Sequence, residues 1–278
     1  MFEHVRFAFI GPGVMAEAMA ARLIMTAGVD PSRITMSGPR EDRLKELKTA
    51  YKVHTATDNV AAVQDADLIV LAVKPQSLPG VLAELHGKIP ADALLLSIVA
   101  GATCDDLSRG SLHDAVVRTM PNTPAQVGQG ITVWTATSAV DDEKKEIARE
   151  TLSSFGDEVF VEKEEYLDMA TALSGTGPAY VFLFMEAMVD AGVHLGFPRR
   201  IAEKLVVQTV KGSVAYYEDS PLHLARLRNK VTSPGGTSAA ALYYLEKAGV
   251  RTAISRAIWA AYERSLELGR GEKSAPNI

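Results

Sequence analysis

The hydrophobic pattern changes character part-way along the chain. Up to residue 163, short apolar runs alternate with stretches of helical periodicity. Val5 to Ile10, Ile34 to Gly38, Lys52 to Thr55, Asp67 to Val73, Leu94 to Val99, Asp114 to Arg118 and Gly130 to Trp134 read as strands, and Glu41 to Ala50 as a helix between two of them. Runs with no polar alternation belong to strands covered on both faces, which predicts a mainly parallel sheet clad by helices on either side. From Glu164 onward period-2 alternation disappears. Helical patterns cover Glu165 to Leu173, Ala179 to Leu195, Pro198 to Tyr217, Pro221 to Lys230, Ser238 to Leu245 and Arg251 to Leu268, with a Ser174-Gly175-Thr176-Gly177-Pro178 break after the first. Pro178, Pro198 and Pro221 stand near helix starts, where a missing N–H does no harm. Gly269 to Ile278 reads as a polar tail. The pattern predicts two domains, an α/β domain over 1–163 and an all-α domain over 164–278.

The first strand runs straight into Gly11-Pro12-Gly13-Val14-Met15-Ala16 and then a helix. This is G-x-G-x-x-A between strand and helix, the dinucleotide fingerprint of a Rossmann domain. Gly11 permits the tight turn, Gly13 lets a pyrophosphate approach the backbone, and Ala16 lets helix and sheet pack closely. Ligands of such sheets gather beyond the carboxyl ends of the strands. That rim takes in Gly11, Ser37, Asn59, Val73, Lys74, Pro75, Ala100 and Gly101 as cofactor candidates. Asn59 either reaches the adenosine ribose or caps its own helix.

The end of the second strand separates the two nicotinamide cofactors. An NAD site ends it with Asp or Glu for the ribose 2′-OH; here Ser37, Gly38, Pro39 and Arg40 follow instead. A hydroxyl and a guanidinium suit a 2′-phosphate, so NADP(H) is expected over NAD(H). Glu41 and Asp42 stand close by and keep NAD(H) open.

A second chemical feature lies in the helical half, at Val231-Thr232-Ser233-Pro234-Gly235-Gly236-Thr237-Ser238. A Gly-Gly turn rich in hydroxyls and feeding a helix presents bare N–H groups and the positive end of the helix dipole. It suits a carboxylate, with an ordinary helix cap as the plainer alternative.

Composition narrows the partners. Of 278 residues, 47% are hydrophobic and 23% charged, and a net charge of -5 gives no reason to expect nucleic acid. Cys104 is the only cysteine, so no internal disulfide forms, and a cytoplasmic location is expected. The six histidines show no metal-binding spacing, and no metal is expected. The opening apolar run is a six-residue strand flanked by His4 and Arg6, which argues against a signal peptide. The apolar stretch from Ala179 to Met185 is soon interrupted by Glu186 and Asp190, short of the ~20 residues of a membrane span. Ala179 to Leu195 is nonetheless apolar nearly all the way round and must be surrounded. A second subunit is the expected cover, and the sheet domain the alternative.

GPGVMA at 11–16, DLIVLAVKPQ at 67–76, VVRTMPNTPAQVGQG at 116–130, ALSGTGPAYVF at 172–182 and VTSPGGTSAAAL at 231–242 together resemble the pyrroline-5-carboxylate reductase family. The resemblance covers essentially the whole chain. It implies an NAD(P)H-dependent oxidoreductase that reduces L-1-pyrroline-5-carboxylate to L-proline, a homodimer built through the C-terminal helices, and decamers assembled from such dimers. It further implies that Ser233, Gly235 and Gly236 hold the substrate carboxylate and that Ser238 bonds the ring nitrogen, with Lys74 beside the nicotinamide. The family usually has threonine where this chain has Ser238, so Thr237 is the alternative hydroxyl. Two rival functions are a Rossmann dehydrogenase of another cyclic imino acid or small hydroxy acid, and a non-enzymatic NADP(H)-binding regulator. Hydroxy-acid enzymes of this kind use a catalytic lysine in a glycine-spaced segment, and Asn229-Lys230 lacks that spacing.

Overall fold

The structure, a computed structural model, describes residues 2–270. Strands and helices alternate in its first part: β1 (Phe7–Ile10), α1 (Val14–Met25), β2 (Ile34–Ser37), α2 (Glu41–Tyr51), β3 (His54–Ala56), α3 (Asn59–Val63), β4 (Leu68–Leu71), α4 (Leu78–Leu85), β5 (Leu94–Ser97), α5 (Cys104–Ser111), β6 (Val116–Met120), β7 (Gly130–Ala136), α6 (Asp142–Ser153) and β8 (Gly156–Phe160). They form one sheet in the order β3-β2-β1-β4-β5-β6-β7-β8. Every neighbouring pair is parallel except β6 and β7. The expected doubly wound, mainly parallel Rossmann sheet is what the chain builds.

The all-apolar runs explain themselves in this sheet. Phe7 and Phe9 of β1 enter one core layer with Met19 and Leu23 of α1, while Ala8 and Ile10 enter the opposite layer with Leu82 and Leu85 of α4. With helices on both faces, each position of the strand needs an apolar side chain. Chain order reverses between β1 and β4, which open a crevice beyond their carboxyl ends.

The structure differs from the sequence reading in three places. Strand β8 was not anticipated, because it is an edge strand with Val159 and Phe160 half-exposed beside Asp157 and Glu158. The third and sixth strands sit later than expected, over His54–Ala56 and Val116–Met120. The break at 174–178 is no break: α7 (Tyr166–Ala170) continues through a widened turn, Thr171–Gly175, toward α8 (Gly177–His194). Pro178 has no N–H to offer the carbonyl of Ser174, and Asn122 Nδ2 donates to that carbonyl instead, at 3.1 Å. The Thr176 N–H reaches back five residues to Thr171 O at 2.8 Å.

The remaining helices are α9 (Arg199–Glu218), α10 (Leu224–Lys230), α11 (Thr237–Lys247) and α12 (Val250–Gly269). The expected polar tail lies outside the described residues from 271 onward. The chain divides into two compact units: one runs through Thr176 and takes in the chain from Ala260 on, and the other is Gly177–Trp259. In the first, Arg118 of β6 is almost wholly buried and donates to Glu164 at 2.9 Å and to Asp168 at 3.2 Å. Asp168 also accepts from the buried Ser265 of α12 at 2.8 Å, and Glu164 accepts the N–H of Cys104 at 2.7 Å. In the second, α8 and α9 pack through Val189, Ala202 and Val206. By length and composition alone, the helical run from Tyr166 to His194 could cross a membrane, which corrects the shorter apolar stretch counted from sequence.

Candidate dinucleotide and anion sites

The loop after β1 is shaped by contacts that only glycine tolerates. Gly11 has φ +95°, and a Cβ there would come within 2.7 Å of the Val73 side chain and 2.8 Å of the Ala72 carbonyl. Its N–H donates to Ser37 O at 2.9 Å, which ties the loop to the end of β2. Gly13 begins α1, and nothing lies within 4 Å of where its Cβ would be. No side chain caps the helix. The N–H groups of its first turn, from Val14 and Met15 to Ala16, thus open onto space that an anion can enter, while Ala16 itself is buried against the core.

Beside this loop is a cavity of about 720 Å³ whose walls include Gly11, Gly13, Arg40, Asn59, Val73 and Lys74. A second cavity of about 720 Å³ takes in Pro75, Ala100 and Gly101, together with the end of α12. The Pro75–Ser77 turn contributes residues to both.

Several candidates have structural duties that sequence did not foretell. Ser37 is fully buried and donates its hydroxyl to Asn59 Oδ1 at 2.8 Å, so that hydroxyl is not presented to a 2′-phosphate. Asn59 does not cap its helix: Asp58 does, accepting from Val60 and Ala61. Asn59 instead bridges Ser37 to Glu84, donating at 2.7 Å. Gly101, at φ +78°, turns its bare Cα toward Gly269 of α12, whose nitrogen would lie 2.8 Å from an added Cβ. Arg40 and Lys74 are exposed.

Residues at the first cavity that the sequence reading does not include are, among others, Arg43 and Thr57. Arg43 Nε donates to Pro12 O at 3.2 Å, binding the fingerprint loop to α2. It also pairs with Glu17, which accepts from the Tyr51 hydroxyl as well at 3.0 Å. The Glu17 bond raises the Arg43 guanidinium above its ordinary range. Burial first, then the Glu17 bond, raises the Tyr51 phenol. The signal was available in the one-turn spacing from Arg40 to Arg43, but nothing local told which way either side chain runs.

In the helical unit, α10 ends at Lys230 and the chain turns through Ser233 to Gly236 before α11. Gly235 has φ +73°, a conformation that glycine adopts without strain. Gly236 starts α11 without any side-chain cap, and its N–H donates to Ser233 O at 3.1 Å. An added Cβ at Gly236 would lie 2.8 Å from the Ser233 hydroxyl oxygen. Thr232 is committed to Arg228 O at 2.7 Å, whereas Ser233, Thr237 and Ser238 have no hydroxyl partner among the described residues. The turn therefore keeps its first-turn N–H groups and three hydroxyls unengaged.

Burial, followed by the nearby Glu164 charge, pushes the Cys104 thiol up to about 12, which favours the protonated thiol over the nucleophilic thiolate. Among the described residues, no group of three or more His, Cys, Asp or Glu is placed to hold a metal ion.

Comparison with known proteins is consistent along the whole chain. Residues 164–268 match the family described as pyrroline-5-carboxylate reductase dimerisation, and residues 6–101 match NADP oxidoreductase coenzyme F420-dependent. The pyrroline-5-carboxylate reductase of Synechocystis sp. is 42% identical over 266 residues, which is 96% of this chain and 99% of the relative. Among solved structures, the Plasmodium falciparum pyrroline carboxylate reductase with NADP bound superposes with a TM-score of 0.88 at 32% identity, covering 96% of this chain and 99% of that one. The Coxiella burnetii pyrroline-5-carboxylate reductase gives a TM-score of 0.86 at 36% identity, covering 97% and 99%. The apolar surface of α8 falls inside the matched dimerisation region. This chain belongs to the pyrroline-5-carboxylate reductase family.

Proposed function

We propose that the chain reduces L-1-pyrroline-5-carboxylate to L-proline, the last step of proline biosynthesis, using NADPH in preference to NADH. The observation that carries this reading is the 42% identity with a named reductase across 96% of the chain, which takes in both glycine loops. The residues present fit a dinucleotide: the Cβ-free space at Gly13, the uncapped start of α1 and the cationic side chains of the adjoining cavity suit a pyrophosphate and a phosphorylated ribose.

When bound, the nicotinamide supplies hydride from its C4 position. The protein's part is to hold a flat substrate in one orientation and to settle a proton. Gly235 and the first turn of α11 offer N–H groups to the substrate carboxylate and the Ser233 hydroxyl donates beside them, while Gly236, whose own N–H is held by Ser233 O, shapes the turn. Ser238, on the same turn, holds the ring nitrogen and its proton, with Thr237 as the alternative hydroxyl. Lys74 closes β4 at the cofactor cavity as the third candidate.

We assign the functional division to residue 163/164, supported by the match that begins at 164. The active form is a cytoplasmic homodimer joined through the C-terminal helices, without membrane or nucleic-acid partners. A decamer built from five such dimers is the alternative that a mass measurement separates. The test is oxidation of NADPH and, in parallel, NADH by purified protein supplied with L-1-pyrroline-5-carboxylate. Substrate-dependent turnover that is faster with NADPH is expected; no turnover with either would discard the reading and direct attention to other imino acids and then hydroxy acids. Ser238→Ala should lower kcat/KM by roughly 10- to 1,000-fold while NADPH affinity holds. Full activity in that variant would move the role to Thr237.

A further inference from the structure

The cofactor cavity has two guanidiniums near the end of β2, and they are in different states. Arg40 is exposed at the entry to α2, and no partner is found for it among the described residues. Arg43 stands one turn further along the same cavity with its side chain only 18% exposed. It is held at three points: Nε on the Pro12 carbonyl at 3.2 Å, Nη1 on Glu46 at 3.2 Å, and Nη2 on Glu17.

A guanidinium has about five N–H donors in a fixed fork, so these three bonds leave one on each terminal nitrogen. Arg43 is therefore anchored against the fingerprint loop and still able to donate twice. An anchored side chain loses little rotamer freedom on meeting a ligand. Its charge, however, is shared with two carboxylates. Glu17 belongs to α1, the helix that starts at Gly13, and Tyr51 holds it in place from α2. A phosphate on the 2′-hydroxyl, expected just beyond β2, would find the free donors of Arg43 in the cavity wall, with their charge partly neutralised by Glu17, which pairs with Arg43 from outside that wall.

We propose that Arg43 is a second 2′-phosphate-binding group beside Arg40, and that Glu17 is a specificity determinant that weakens this contact and so limits the preference for NADPH over NADH. The inference rests on the cofactor reading above and assigns the selectivity to named side chains. Ser37 is outside it, because its hydroxyl is committed to Asn59.

The test uses two nucleotides that differ only in the 2′-phosphate, adenosine 2′,5′-bisphosphate and 5′-AMP, titrated calorimetrically into the full-length protein. The quantity read is the ratio of their dissociation constants. Glu17→Gln keeps the side chain's shape and removes its charge, and should raise the preference for the bisphosphate by roughly tenfold. Arg43→Met should lower that ratio by roughly tenfold, whatever it does to the binding of both nucleotides alike through the loop it anchors. A wild-type ratio near one would overturn the NADP(H) reading and this inference with it. A wild-type preference that neither variant alters, or that Glu17→Gln diminishes, overturns the inference alone. If Glu17→Gln does not fold, as judged by its melting transition, Arg43→Met decides by itself, and an unchanged ratio in it counts against the proposal.

Discussion

Strands β4 and β5 and helix α8 are all runs of apolar residues, yet the single chain treats them in opposite ways. Ile69, Leu71 and Leu95 have no exposed surface, whereas Phe182, Leu183 and Phe184 are 63%, 66% and 54% exposed. The sheet unit closes its own core, because the crossovers of a parallel sheet deliver helices to both faces. The helical unit has no such device. Within Gly177–Trp259, α8 meets α9 along one side, through Val189, Ala202 and Val206, and the rest of its apolar surface has no cover in the unit. Apolarity alone thus says that a segment must be covered; the topology says whether the same chain does it.

The largest effect is expected where that comparison is put at risk. If α8 is covered by a second subunit, Leu183→Asp buries an unpaired charge at the interface and should remove association altogether. Sedimentation equilibrium should then give the mass of one chain, with activity lost. If Leu183 faces only water, the change is worth about ±0.5 kcal/mol and the oligomer persists, which would break the comparison.

The sheet unit should respond to a different injury. Arg118 is buried between Glu164 and Asp168, and this cluster also gathers Ser265 near the end of α12. Arg118→Met leaves two carboxylates without their cation and should cost about 3–5 kcal/mol in denaturant unfolding. Removing both carboxylates in the same background (Glu164→Gln, Asp168→Asn) should recover much of that loss. A cost below about 1 kcal/mol for Arg118→Met would mean that the cluster does not stabilise the unit.

These two regions also mark what could be read in the sequence. β1, β4 and β5 were legible because each position faces a core, so the pattern is local and unbroken. β8 was not, because an edge strand buries little and Asp157 and Glu158 dilute its signal. The turn before Pro178 was misread for a reason 52 residues away, since the donor that replaces the proline's missing N–H is Asn122. The same division holds in the candidate sites. Glycines at 11, 13, 235 and 236 follow from what backbone turns and helix starts require locally. The commitment of Ser37 to Asn59 and the anchoring of Arg43 on Pro12 depend on which side chains fold back, and no short-range pattern encodes that.

Gly11 and Gly13 separate fold from function within the sheet unit. An added Cβ at Gly11 combines an unfavourable φ with collision against Val73 and Ala72, so Gly11→Ala should cost about 1–3 kcal/mol and abolish NADPH binding as the loop shifts. At Gly13 the same methyl meets nothing within 4 Å. Gly13→Ala should leave the melting transition where it is, yet weaken NADPH binding at least roughly tenfold by occupying the space a pyrophosphate needs. Unchanged affinity in Gly13→Ala would move the pyrophosphate away from the start of α1.

The smallest expected effect is the most useful control on the comparison. The Cys104 thiol is pushed up to about 12 from an ordinary value of 9.0, by burial first and by Glu164 second. At pH 8 its thiolate fraction, and with it the rate of alkylation by iodoacetamide, should be roughly a thousandfold below that of an unfolded cysteine. The sign for stability follows. The folded state keeps the proton more tightly, so this contribution is complete below about pH 9 and is lost as the pH climbs toward about 12. Cys104→Ala should flatten that alkaline decline and do little at neutral pH. Because Cys104 shares Glu164 with Arg118, its reactivity reports whether the sheet unit is closed. Alkylation should therefore stay slow in Leu183→Asp, whose injury is to the helical unit, and become fast in Arg118→Met. Fast alkylation in Leu183→Asp would show that the sheet unit depends on the oligomer after all, and that the two regions differ less than their burial suggests.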